Sequence, residues 1–177
     1  MKLRILPVAI TAVLSAALLF GGWYAYGHYG VEKPLEKVAS SLPGVVSAET
    51  SNSVNKVVLK LELSSDADLA DIYHKVETEG SGSIGGKKLE LVVSEPENEQ
   101  LEKAWRSALF GVAESMEHRE YSGVQDAMDS LAKKVPGLTA VTEMDDTNVY
   151  VSLKLGDAAK YVILPRQAQE MGVWPNA

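Results

Sequence analysis

Leu35–Leu63, LEKVASSLPGVVSAETSNSVNKVVLKLEL, decides the fold, because Met128–Leu155, MDSLAKKVPGLTAVTEMDDTNVYVSLKL, follows the same plan. Leu35, Val38, Ala39 and Leu42 fall opposite Met128, Leu131, Ala132 and Val135, and Pro43-Gly44 opposite Pro136-Gly137, at an offset of 93 residues. The second copy drops one residue before its last strand. Apolar positions three and four apart make an amphipathic helix. Pro-Gly halts it: proline disfavours helical geometry in the residue before it, and glycine takes the positive φ of a C-cap. A strand, a polar turn and a strand of alternating character come next. The expected fold class is α+β, with two repeated helix-plus-three-stranded-sheet units.

Upstream, Ile5 to Val31 contains no Asp, Glu, Lys or Arg. Ile5–Tyr26 is long enough to cross a bilayer as a helix. Pro7 sits in its first turn, where a missing N–H costs least. Leu14, Leu18 and Phe20 supply apolar bulk, and Trp23, Tyr24, Tyr26 and Tyr29 are the side chains that settle at a headgroup interface. Lys2 and Arg4 precede it, so the positive-inside rule places the N-terminus in the cytoplasm and the body outside a single-pass cell-membrane anchor. A cleaved signal peptide is the alternative, although Ala25-Tyr26-Gly27 is a poor cleavage site. Both readings export the rest of the chain.

That remainder is acidic: 17 basic residues less Lys2 and Arg4 leaves 15 against 24 Asp and Glu, a net of −9. Such a charge argues against a nucleic-acid partner and against lying flat on anionic lipid. With no cysteine in the 177 residues, disulfides, thiolate metal sites and a lipidated cysteine are excluded.

In chain order, residues 1–30 form the tail and anchor, and 31–94 a first unit, α-β-β-α-β. Its second helix is expected over Ala67–Val76, capped by Ser65-Asp66, with Leu69, Ile72, Tyr73 and Val76 inward. Glu79–Lys88, EGSGSIGGKK, then reads as a flexible connector to a strand at Leu89–Val93. Residues 95–120 carry a long helix, Glu97–Glu117, with a start signal in Ser94-Glu95-Pro96-Glu97 and a stripe of Leu101, Trp105, Ala108, Leu109, Val112, Ala113 and Met116. Residues 121–177 hold the second unit, α-β-β-β, with strands Leu138–Thr142, Asn148–Leu155 and Tyr161–Leu164 and a tail that includes Met171, Val173 and Trp174. The two units are expected to pack together around the long helix.

No catalytic or metal-binding constellation stands out, and no cofactor is implied. Gly80–Lys88 has the glycine spacing of a phosphate loop, but Gly86 stands where its lysine belongs and the loop follows a helix. His28, His74 and His118 lack ligand spacing, and His74 reads as solvated. Glu143, Asp145, Asp146 and Asn148 fit a tight turn better than a calcium loop. Glu95, Glu97, Glu99 and Glu102 suit a helix N-terminus.

The order helix, Pro-Gly, strand, turn, strand in LEKVASSLPGVVSAE and LAKKVPGLTAVTE resembles ring-building modules of bacterial secretion and flagellar basal-body proteins, and spore-coat or germination lipoprotein modules. The resemblance covers about 30 residues per copy. It implies a non-catalytic protein-binding or assembly module of the cell envelope, with a homo-oligomer or protein partner. The competing class is an exported hydrolase or enzyme inhibitor with a carboxylate site. Open strand edges recruit partners, which makes Leu91, Val92 and Val93, or Tyr161, Val162, Ile163 and Leu164, the expected interface.

Overall fold

The first helix, α1, runs over Ile5–Ala25 and does not stop. It passes through seven residues of π-helix, Tyr26–Glu32, into α2, Lys33–Ser40. This computed structural model describes residues 5–96 and 98–166. Lys2, Arg4, Glu97 and the tail with Met171, Val173 and Trp174 lie outside them. The sequence separates an anchor from the body at residue 30 and starts a new helix at Glu32, yet the helix continues through Tyr26–Glu32 without a break. Pro34, near the start of α2, removes an N–H while the π turns re-pair their neighbours, so the rod continues.

After α2 the chain forms β1 (Val45–Asn52), β2 (Lys56–Leu63), α3 (Leu69–Ile84) and β3 (Lys88–Ser94). β2 lies centrally, antiparallel to β1 and parallel to β3. The parallel pair requires a crossover, which α3 supplies. β2 alternates strictly: Val57, Leu59, Leu61 and Leu63 are buried while Lys56, Lys60 and Glu62 are exposed. Beneath the apolar face lies the first core, with Val31, Leu35 and Ala39 from the long helix and Leu69, Ile72, Val76 and Ile84 from α3.

The expected flexible connector is instead the last turns of α3, which end only at Gly85. Packing explains this. A Cβ at Gly80 would stand 2.5 Å from Leu35 Cδ1, so this glycine lets α3 lie close against α2, while Ile84 is buried. The helix also starts later than expected. Asp68, rather than Ser65-Asp66, caps it by accepting from the Asp71 N–H at 2.9 Å.

The second half contains α4 (Glu99–Glu117), α5 (Ser122–Lys134) and the antiparallel meander β4 (Leu138–Met144), β5 (Asn148–Leu155) and β6 (Ala158–Pro165). Asn98 caps α4 through the Leu101 N–H at 3.0 Å, so Ser94 and Glu95 lie outside the helix. Leu101, Ala104, Trp105 and Val112 from α4 join Val124, Met128 and Leu131 from α5 over Val149, Val151 and Leu153, forming a second core. Leu109 and Ala113, expected inward, are exposed. The helix is amphipathic around Leu101, Trp105 and Val112, which turns those two away from the sheet. α4 therefore packs on α5 and the second sheet instead of separating the two halves.

The Pro-Gly pairs are type II turns rather than helix C-caps. Val45 N–H reaches Leu42 O at 3.3 Å and Leu138 N–H reaches Val135 O at 3.1 Å, with Gly44 and Gly137 at φ of +84° and +80°.

Candidate functional site

α3 joins the two sheets. One side of it belongs to the first core, and the other meets the second sheet on the face away from α4 and α5. There Tyr73 packs on Tyr150, with ring centroids 5.5 Å apart, and Tyr150 and Tyr161 are buried in the first core. Tyr161 donates its hydroxyl to Ser64 O at 2.6 Å.

Asp145, in the β4–β5 turn, is the hub of this seam. Its Oδ1 accepts from the Thr147 and Asn148 N–H groups, both at 2.6 Å, and from Thr147 Oγ1 at 2.9 Å. Its Oδ2 accepts the Tyr150 hydroxyl at 2.6 Å and lies 2.6 Å from His74 Nε2 on α3. Arg166 donates to its backbone carbonyl and stacks on Tyr121. Partial burial pushes the Asp145 carboxyl up, but the hydrogen bonds from Tyr150, Asn148, Thr147 and His74 outweigh it and hold the group well below the usual carboxylate range. Burial, then the hydrogen bond to Asp145, pushes Tyr150 up and keeps it a donor. The carboxylate is thus committed to turn and seam. His74, read as solvated, is half-exposed but paired across the seam. Its partner is 71 residues away, so no local pattern signals the pair.

Beside the seam a cleft of about 270 Å³ opens between the Ser65–Asp68 loop and the outer face of the second sheet, lined by Asp66, Asp68, Glu143, Ser152, Lys154 and Tyr161. Burial and then neighbouring Asp68 push Glu143 up, with His74 opposing. Asp66 is lowered by the Ser64 hydroxyl, which donates at 2.7 Å, and Asp68 is occupied as the α3 cap. Among the described residues no three His, Asp or Glu side chains group to hold a metal ion.

The predicted interface residues divide. On β6, Tyr161 is buried and Ile163 half-buried against the first core, while Val162 and Leu164 pack on the second. Glu95 caps the backbone here, accepting from Tyr161 N–H at 2.9 Å, and Lys160 pairs with Glu95 at 3.5 Å and Glu102 at 2.5 Å. Burial pushes Glu95 up, against the Tyr161 amide and Lys160. On β3, Leu91 and Val93 turn into the first core, while Val92 is 40% exposed on an uncovered face beside Lys60. β3 is an outer strand of its sheet. β1 is the other, and Glu36 of α2 accepts its Thr50 N–H at 3.0 Å, blunting that edge.

Ile5 opens α1. Pro7, Leu14, Leu18, Phe20, Trp23, Tyr24 and Tyr26 are all exposed, and the helix is long and apolar enough to cross a membrane. No protein-family model, curated protein or solved structure matches the chain.

Proposed function

We propose that the chain is a membrane-anchored, extracytoplasmic binding or assembly module of the bacterial envelope, acting through contact rather than catalysis. The supporting observation is the unbroken helix. Its exposed apolar residues lead directly into Val31, Leu35 and Ala39 of the first core, so a membrane-embedded rod and the folded body move as one piece. In this reading the N-terminus is cytoplasmic, and the two helix–Pro-Gly–hairpin copies stand outside. The contact surface is the β3 edge with the uncovered face around Val92. Both faces of β6 are packed and Glu95 takes its Tyr161 N–H, so this reading favours β3 over the second candidate edge.

The test has two arms. Protease added to spheroplasts should digest the body and leave a short membrane stub, whereas a protected body overturns the topology. Crosslinking of the full chain in native membranes should give a discrete complex that Val92→Lys abolishes without changing circular dichroism. An unchanged crosslinking pattern overturns the β3 surface.

A second reading, an exported hydrolase or an inhibitor of one, draws on Asp66, Asp68 and Glu143 in the inter-sheet cleft. Glu143→Gln tests it: loss of a hydrolytic activity of the purified chain, with the fold intact, would favour this reading over the first.

A further inference from the structure

A cleft of about 310 Å³ lies where α1 passes into the π-helix, lined by Trp23, Tyr24, Tyr26, His28, Glu32, Asn52 and Lys87. Three parts of the fold meet there. The helix supplies the aromatic wall and Glu32. The β1–β2 hairpin supplies Asn52, close enough that a Cβ on Gly27 would be 3.4 Å from its amide nitrogen. The α3–β3 connection supplies Lys87, which donates to Asn52 Oδ1 at 2.6 Å and Ser53 O at 2.9 Å. An ammonium has three donors, so one is left after these two bonds. Glu32 is steered by His28, whose Nδ1 lies 2.8 Å from Oε2.

The cleft's height on the helix identifies its surroundings. The 21 residues of α1 rise about 31 Å, close to the hydrocarbon thickness of about 30 Å. The membrane boundary then falls near Ala25, beside this cleft. Three lysines also gather at this end of the first sheet, one of them, Lys56, paired with Glu90 at 2.9 Å. Lys56 and Lys88 begin paired strands at this end, next to Lys87, although the exported part as a whole is acidic. The hairpin tip carries Val54, 76% exposed, and an exposed apolar side chain two residues from Lys56, on the hairpin that reaches the aromatic cleft, suits a surface seated in a membrane interface.

We infer that this cleft is a seat for a phospholipid headgroup carrying its own hydrogen-bond donor, ethanolamine or glycerol rather than choline. The phosphate accepts from Lys87, and the headgroup N–H or O–H donates to Glu32 between the aromatic rings. Choline brings no donor of its own and adds no hydrogen bond to the one between Glu32 and His28. The inference rests on the anchored reading above, and it makes the first unit a body docked on the bilayer instead of one held away from it.

The test uses the full chain in nanodiscs of phosphatidylcholine alone or mixed with phosphatidylethanolamine or phosphatidylglycerol, with retained lipid measured by native mass spectrometry. The donor-bearing lipids should be retained over phosphatidylcholine, Glu32→Ala should remove that preference, and Lys87→Gln, which loses the phosphate contact common to all three lipids, should cut retention about tenfold, the scale of one charged hydrogen bond. Lys87→Arg should restore it, and Lys133→Gln on α5 should leave it unchanged. Equal retention of phosphatidylcholine, or no loss in Lys87→Gln, overturns the seat. Inorganic phosphate that shields Lys87 from amine labelling as well as the donor-bearing discs do would mark a free-anion site and overturn the lipid assignment. Alkaline carbonate separates the two failures. A chain that stays in the pellet but shows no preference loses only the seat, and a chain that is extracted or lacks its first helix loses the anchor and the seat together.

Discussion

The central strands β2, KVVLKLEL, and β5, NVYVSLKL, are written in the same alternating code but are buried differently. β2 has one dry face and one wet face. In β5 the second face is also covered: Asn148 and Tyr150 are buried and Ser152 and Lys154 half-buried. The cause lies in the connection that leaves each hairpin. After β2 the chain makes a helical crossover to a parallel strand. After β5 it turns at Gly156-Asp157 to an antiparallel one. The crossover helix α3 then faces its own sheet on one side and the foreign sheet on the other. Alternation shows which residues share a face, but the partner of the second face comes from elsewhere in the chain.

Gly44 and Gly137 test that difference most severely. Both need the positive φ of a type II turn, but a Cβ on Gly44 would also lie 2.7 Å from Ala67 Cβ and 2.9 Å from its Cα, in the loop leading to α3. Backbone strain and overpacking together predict that Gly44→Val costs about 3–5 kcal/mol in denaturant unfolding. Next comes β6. A lysine at Val162 must reach out from the second core, and Val162→Lys should cost about 3 kcal/mol and lower the melting temperature before any effect on association. Little loss in this variant would show that β6 is open and restore it as an interface.

Asp145→Asn probes the seam at an intermediate level. It weakens charge-assisted hydrogen bonds and should cost about 2 kcal/mol near neutral pH. The folded carboxyl titrates below its unfolded value of about 3.9, so the contribution is complete above that pH and disappears as pH falls toward the folded value. The parent should therefore lose stability below about pH 4, while Asp145→Asn shows less of this acid dependence. A parallel acid loss in both would remove Asp145 from the seam's energetics. Gly137→Val is the mildest, about 1–2 kcal/mol, because only φ is strained and Leu155 Cδ1 is 3.7 Å away. If both glycine variants melt alike, the contact at Ala67 carries no weight.

Much of the fold is legible in local pattern. Period two turns Val149, Val151 and Leu153 inward, helical spacing does the same for Leu69, Ile72 and Val76, and β5 has the bounds its alternation predicts. Sequence and structure part where a residue's role is set by a distant neighbour. Gly80 reads as a flexible residue until Leu35 is seen against it. Tyr161–Leu164 reads as a strand whose two faces both want cover, and only the structure shows that one core lies on each. Of the candidate sites, the aromatic end of α1 is visible in the sequence. Lys87 and Asn52 are not, since they reach it from segments 35 residues apart.

By itself the sequence determined the apolar helix, the two helix–turn–hairpin segments and the faces their strands bury, because periodicity and Pro-Gly turn geometry act within a few residues. Only the tertiary structure decided that the first helix runs unbroken into a core, that α3 extends past its glycines, and that β5 and β6 are packed on both faces. Those outcomes depend on close packing between segments far apart in the chain, where a glycine or a tyrosine acquires its role from the surface it meets.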